Sequence, residues 1–155
     1  MCATIEDVDA LRLDNQLCFA LYSASRATTA AYRPMLDAIG LTYPQYLVLM
    51  VMWEDKALTV RRLGQRLQLD SGTLSPLLKR LETAGYIHRD RSPTDERSVE
   101  VTLTAAGREL ESQAQCVPEQ LFTATGLKAD EAEALRNAAQ RLTVALRGSG
   151  NPAGS

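Results

Sequence analysis

Histidine is almost absent from this chain: His88 is the only one in 155 residues. Cysteine is sparse as well, with Cys2, Cys18 and Cys116 far apart and no C-x-x-C pair. Zinc sites draw four such ligands from short spacings, so the sequence argues against a metal centre, and it calls for no other cofactor. An odd number of scattered thiols is equally poor material for a disulfide framework. A Gly-rich phosphate loop, a nucleophile elbow and a carboxylate–histidine pairing are all missing, so an enzyme reading has nothing to stand on. His88 itself lies on a predicted strand and is read as a structural or surface residue. No apolar run is long enough to span a bilayer. The opening "MCATIEDVDALRLDN" is acidic and lacks an apolar core, which argues against a secretory signal. A cytoplasmic protein without membrane association is expected. With 45% hydrophobic and 23% charged residues, the chain suits one globular domain with a real core.

The charge is unevenly spread. The net charge is −2. Between Lys56 and Arg97 nine basic side chains face five acidic ones, so that segment carries +4 and the rest of the chain −6. A basic module inside an acidic body points to a localised polyanion contact.

Helical periodicity dominates the pattern. A first helix is predicted from about Asp14 to Ile39, kinked or broken at Pro34 and closed by Gly40. In "LTYPQYLVLMVMWED", Thr42 is a candidate N-cap and Pro44 an early-turn proline. The run Tyr46 to Trp53 is apolar nearly all round, which predicts a central, buried helix. Thr59 can cap a short helix through Leu67. Asp70 can cap the next, with Leu74, Leu77, Leu78 and Leu81 on one face and Gly85 as its stop. Two short helices joined by a brief turn, the second bearing Lys79 and Arg80 on its outer face, are the helix-turn-helix pattern. Strands are predicted at Tyr86–Arg91 and Ser98–Leu103, joined by a polar charged tip. Thr104 caps a further helix that Pro118 bends, and a last amphipathic helix runs from about Ala129 to Leu146.

The fold class expected is therefore mainly α with a small antiparallel β wing: a winged helix-turn-helix flanked by N- and C-terminal dimerisation helices. Residues 13–55 form the first helices, 56–104 the winged helix, 105–147 the C-terminal helices and 148–155 a disordered tail. Terminal helices that are apolar on one side bury it against a second copy, so a homodimer reading a palindromic site in double-stranded DNA is expected. The start of the second short helix, "DSGTLSP", offers the hydroxyls of Ser71, Thr73 and Ser75 to base edges, and Lys79 and Arg80 to phosphates or guanine. On the wing tip, Arg97 suits a narrow minor groove, with Asp95 placed to orient it.

Cys18 sits early in the first helix, in "LDNQLCFALYSASR", beside Phe19 and one turn from Tyr22. Reactivity needs the thiolate, which a helix N-terminus favours, although Asp14 would oppose it if it caps that helix. Tyr22, Tyr32, Tyr43 and Tyr46 are possible hydrogen-bond donors to the sulfur, and Phe19 and Trp53 a possible apolar wall. Such a pocket suits an organic peroxide better than hydrogen peroxide. A plain core cysteine remains the competing reading.

Four segments, "LDNQLCFALYSASR", "LTYPQYLVLMVMWE", "LDSGTLSPLLKRLETAGYIHR" and "SPTDERSV", occur in this order. From Leu13 to about Gln120 the chain resembles the MarR family of winged-helix repressors, and more closely its OhrR-type branch of organic hydroperoxide sensors. The resemblance implies a homodimer that binds an operator near a peroxidase gene when reduced, with the organic hydroperoxide as inducer. Cys18 matches the sensing cysteine, which would become a sulfenic acid. Tyr32 and Tyr43 match tyrosines that reach the sensing cysteine of the partner subunit, and Phe19 and Tyr22 match pocket-lining positions. Oxidation would separate the recognition helices and release DNA. In one branch of the family a resolving cysteine follows a "VPEQ" segment. Here Thr123 stands near that place, and Cys116, before Pro118, is the available thiol. A Cys18–Cys116 disulfide between subunits and a mixed disulfide with a low-molecular-weight thiol both stay open. The alternatives are a repressor of the same family induced by a small aromatic ligand, with Cys18 only packing, and a thiol peroxidase.

Overall fold

A computed structural model describes residues 11–95 and 97–149. A short 3-10 turn, Leu13–Asn15, leads into helix α1 (Leu17–Asp37). Helix α2 (Tyr43–Asp55), strand β1 (Ala57–Thr59), helices α3 (Val60–Leu67) and α4 (Ser71–Thr83), and strands β2 (Ile87–Arg91) and β3 (Val99–Leu103) follow. Helices α5 (Ala105–Ala114), α6 (Val117–Thr125) and α7 (Ala129–Ser149) complete the order. The chain divides into two compact units, which meet at Val117–Pro118.

The core of the first unit is built around α2, as its all-round apolar sequence demands. Tyr46, Val48, Leu49, Val51 and Met52 are all buried there. A capping box starts this helix. Gln45 N–H donates to Thr42 Oγ1 at 3.4 Å and Thr42 N–H to Gln45 Oε1 at 2.8 Å, which satisfies two donors the helix leaves unpaired. Leu63 of α3, Leu74, Leu78 and Leu81 of α4, and Ile87 and Val101 of the sheet close over it. Trp53 donates its indole N–H to the Gly107 carbonyl at 2.9 Å and so ties α2 to α5.

The wing has three strands, in the order β1-β3-β2, all antiparallel. Sequence patterning shows only the two longer ones. Strand β1 is three residues long, below the length at which alternation can be read, and exists because Leu58 pairs with Val101. Helix α1 runs through Pro34 without a break. The proline removes one hydrogen bond near the helix end, and Leu36 beyond it is anchored in the core at 1% exposure. The helix expected to bend at Pro118 is instead two helices. The chain turns at Gln115 and Cys116, and Pro118 takes the second position of α6, where its missing N–H costs nothing. Helix α7 extends through Gly148 and Ser149, where sequence patterning predicts the start of a disordered tail, and residues 150–155 lie outside the described residues. None of α7's described residues is buried. Among the described residues no helix is long and apolar enough to cross a membrane.

Candidate functional site

Cys18 is the second residue of α1 and is exposed. The N-cap is Gln16 rather than Asp14, and it gives no side-chain cap. The first backbone bond of the helix runs from Ala20 N–H to Gln16 C=O, so the thiol lies in the turn whose N–H groups have no intrahelical acceptor. Around it Leu17, Phe19 and Tyr22 are exposed, and Leu11 and Leu13 just upstream add to the same apolar segment. Arg26 lies over the Tyr22 ring, its guanidinium carbon 5.5 Å from the centroid.

The other tyrosines form a cluster of their own. Tyr32 near the end of α1 and Tyr43 at the start of α2 are stacked, with centroids 4.5 Å apart and an interplanar angle of 27°. Tyr46 lies 5.9 Å from Tyr32, and Trp53 stands edge-on to Tyr46 at 6.1 Å. Burial, then the neighbouring Tyr43 and Tyr46, push the Tyr32 phenol up to about 12. Burial raises Tyr43 as well, and burial followed by Tyr43 raises Tyr46. These phenols therefore keep their protons, and with them their capacity to donate.

Cys18 and Tyr32 are not together in one chain. Fourteen residues of unbroken helix separate them, roughly 21 Å along the axis. Proximity in sequence is no guide here: of the sequence-predicted partners, Tyr22 is one turn away, whereas Tyr32, Tyr43 and Tyr46 share the distant cluster and Trp53 closes it. Beside that cluster a cleft of about 520 Å³ lies between α1 and α2, lined by Arg26, Thr29, Arg33, Leu36, Leu41 and Tyr43. Cys116 is exposed in the turn between α5 and α6, and Cys2 lies outside the described residues.

On the basic module, α3 is capped by Thr59, whose hydroxyl accepts from Arg62 N–H at 3.2 Å. Asp70 caps α4, accepting from Thr73 N–H at 2.8 Å and from Thr73 Oγ1 at 2.9 Å, and these bonds hold its carboxyl below the usual range. The Thr73 hydroxyl proton is thus committed to the cap, which leaves its oxygen and methyl as the groups able to meet a base. Ser71, Ser75, Lys79 and Arg80 are exposed on the same helix. At the wing tip Asp95 accepts from Arg97 N–H at 3.0 Å and from Ser98 Oγ at 2.9 Å, and both bonds lower its carboxyl. Asp95 therefore places Arg97 through the backbone and not by pairing with its guanidinium. Glu96 lies outside the described residues.

Among the described residues two of the nine basic side chains, Arg66 and Arg89, are already neutralised. Arg66 is clamped by Glu54 and Asp55 of α2. Arg89 is held by Glu82 through Nε at 3.0 Å and Nη2 at 2.6 Å, and Glu82 also accepts from Arg89 N–H. Sequence reasoning missed both arrangements, because the partners come from different elements. Arg61, which it did not single out, is exposed beside the cleft between α4 and the wing. No cluster of metal-ligating side chains occurs among the described residues.

Residues 30–113 match the family described as "Transcriptional regulator SarA/Rot". The chain is 51% identical over 127 residues to the HTH-type transcriptional regulator TtmR of Methylorubrum extorquens, covering 82% of this chain and 65% of that protein. It is 44% identical over 138 residues to the organic hydroperoxide resistance transcriptional regulator of Bacillus subtilis, covering 89% and 94%. Among solved structures, reduced AbfR bound to DNA aligns with a TM-score of 0.72 at 38% identity over 87% of this chain and 94% of that one. Overoxidised AbfR bound to DNA aligns with a TM-score of 0.70 at 37% identity, over 85% and 93%. AbfR is a protein of Staphylococcus epidermidis.

Proposed function

The chain belongs to the MarR family of winged-helix regulators, in the branch that holds SarZ and OhrR, and is a redox-sensing transcriptional repressor rather than an enzyme; from that premise we propose that Cys18 is the sensing thiol, and that an organic hydroperoxide switches the protein through it. The observation that carries this reading is an incomplete site. An exposed thiol in an uncapped first turn has its apolar neighbours but no phenol cluster, and the stacked Tyr32–Tyr43 pair has its donors but no thiol. A second copy of the chain supplies each half with the other. The exposed Leu13, Leu17, Phe19 and Tyr22 at one end, and Leu135, Val144 and Leu146 on α7, are the surfaces such a dimer covers.

The chemistry balances with one external oxidant. The Cys18 thiolate attacks the terminal peroxide oxygen, the O–O bond breaks, and the sulfur becomes a sulfenic acid; the alkoxide that leaves takes from solvent the proton the thiol lost on ionising and departs as the alcohol. The partner's Tyr32 and Tyr43, both protonated, donate to the thiolate before attack and to the new S–O oxygen after it. A second thiol then condenses with the sulfenic acid, water leaves, and a disulfide forms. Cys116 of the partner subunit or a low-molecular-weight thiol serves as that second thiol. AbfR has been captured bound to DNA in an overoxidised state, so overoxidation by itself does not abolish DNA binding in that relative. A disulfide, which adds a covalent constraint, is the step expected to move the helices and separate two reading heads on a palindromic operator. Action on chromosomal DNA, as proposed here, calls for a cytoplasmic protein.

The experiment is fluorescence anisotropy of reduced protein on its own upstream DNA, before and after one equivalent of cumene hydroperoxide with a small thiol present. Wild type should release DNA and regain it with reductant, while Cys18→Ser should bind DNA equally and ignore peroxide. A Cys18→Ser protein that still releases would sink the reading. The Arg26 and Arg33 side chains beside Tyr43 favour a second reading, a carboxylated aromatic inducer in the α1–α2 cleft. That inducer would release both proteins without any oxidant.

A further inference from the structure

A cleft of about 470 Å³ separates α4 from the wing, lined among others by Thr59, Arg61, Ser75, Leu78, Arg97 and Ser98. Its position matters for a helix that enters the major groove and a hairpin that reaches the adjacent minor groove. One sugar–phosphate strand divides those two grooves, and it has to pass over whatever lies between helix and hairpin. The cleft also has the sign a phosphate needs. Among the described residues Arg61, Arg89 and Arg97 line it against one carboxylate, Asp95. Both Asp95 oxygens are occupied by Arg97 N–H and Ser98 Oγ, and the Arg89 guanidinium is occupied by Glu82. Among the described residues, Arg61 and Arg97 keep their charges without an ion-pair partner. The Ser98 hydroxyl proton is committed to Asp95 and the Thr59 oxygen to the cap of α3, and Ser75 is the hydroxyl that α4 brings to the cleft. Arg61 is also the second residue of α3, where the positive end of that helix adds to its charge.

We propose that this cleft seats a DNA phosphodiester, with Arg61 as its counter-charge and the Ser75 hydroxyl as a neutral donor, so that both residues hold the register of the protein on the duplex and neither reads a base. The inference rests on the winged helix being the DNA-binding element, and it is independent of the thiol chemistry. Ser75 thereby moves from base reading to backbone positioning. The Glu82–Arg89 pair keeps the wall of the seat in place without contacting DNA itself.

The test uses reduced full-length protein, its own upstream duplex and an unrelated duplex of equal length, titrated by anisotropy between 0.05 and 0.3 M KCl, conditions in which each phosphate contact adds about 0.9 to the slope of log K against log salt. Arg61→Gln removes one contact from each subunit of the dimer, so it should lower that slope by about 1.8 and weaken binding about thirty-fold at 0.15 M salt, equally on both duplexes. Arg61→Lys should restore the slope, and Ser75→Ala should weaken both duplexes alike with the slope unchanged. An unaltered slope in Arg61→Gln, or a Ser75→Ala loss confined to the upstream duplex, overturns the seat while leaving the DNA-binding reading intact. Wild-type binding with no salt dependence on either duplex overturns both.

Discussion

Replacing Gly107 by alanine sets two physical effects against each other with opposite signs. Gly107 lies in the first turn of α5, and alanine is the better helix former by about 1 kcal/mol. Propensity alone therefore predicts a more stable protein. The packing predicts the reverse. A Cβ at this position would stand 2.1 Å from the Tyr86 carbonyl oxygen and 3.0 Å from Leu103 Cδ2. An ordinary carbon–oxygen approach is about 3.3 Å, so α5 and the backbone at Tyr86 must part by roughly 1 Å. That backbone is not free to yield. The Tyr86 carbonyl also accepts from Thr104 N–H at 3.1 Å, the Gly85 carbonyl accepts from Thr104 Oγ1 at 2.6 Å, and Gly107 itself holds Trp53. Overpacking against fixed atoms costs about 3 kcal/mol, at the upper end of its usual range, which leaves a net loss of about 2 kcal/mol. For a chain of this length the melting temperature should fall by about 4–8 °C. Urea and thermal denaturation of wild type and Gly107→Ala measure this directly. A variant that melts at or above the wild-type temperature would refute the close approach between α5 and Tyr86.

Three further outcomes are expected. Val144 is 72% exposed on a helix with no buried residue among those described, so if two copies of α7 cover each other, Val144→Glu forfeits about 1.5 kcal/mol or more per chain and weakens the dimer over 100-fold; a dimer dissociation constant, measured by dilution, that equals the wild-type value would contradict this. The Asp70 carboxyl is held below the ordinary value of about 3.9, so its contribution is present above that pH and is lost as pH falls through the folded value; Asp70→Asn, which keeps a cap but cannot titrate, should flatten that part of the acid limb in denaturation experiments. Tyr32 behaves in the opposite sense. With its pKa at about 12 the folded state keeps a proton that the unfolded chain loses near pH 10, so stability should fall between pH 10 and 12, and a Tyr32→Phe protein that shows the same alkaline loss would disprove that assignment.

Local chemistry made much of this protein legible in advance. Thr42, Thr59, Asp70 and Thr104 each start a helix through their own side chains, and a cap needs only the next three residues to declare itself. The all-round apolar run of α2 can only be a buried helix. The alternation Val99, Val101, Leu103 marks a strand with one face inward. Local chemistry left a reactive Cys18 and a plain core cysteine side by side, and it was the family resemblance that favoured the sensing role proposed for Cys18 and the tyrosine pair. What local reading misjudged depends on neighbours distant in sequence. Pro34 looks like a break until Leu36 is seen anchored in the core, and β1 is too short to show a period and is visible only as the partner of β3.

The linear order of residues determined the helices, their caps, the basic excess between Lys56 and Arg97 and the presence of a thiol early in α1, because each of these is a property of a few adjacent side chains. Tertiary structure alone decided which of those charges are free. Glu54 and Asp55 reach Arg66 from another helix, Glu82 reaches Arg89 across from α4, and Asp95 spends its oxygens on the Arg97 N–H and the Ser98 hydroxyl. It alone also showed that Cys18 and Tyr32 stand at opposite ends of one rigid helix, since an α-helix turns sequence separation into distance at 1.5 Å per residue and cannot fold back on itself.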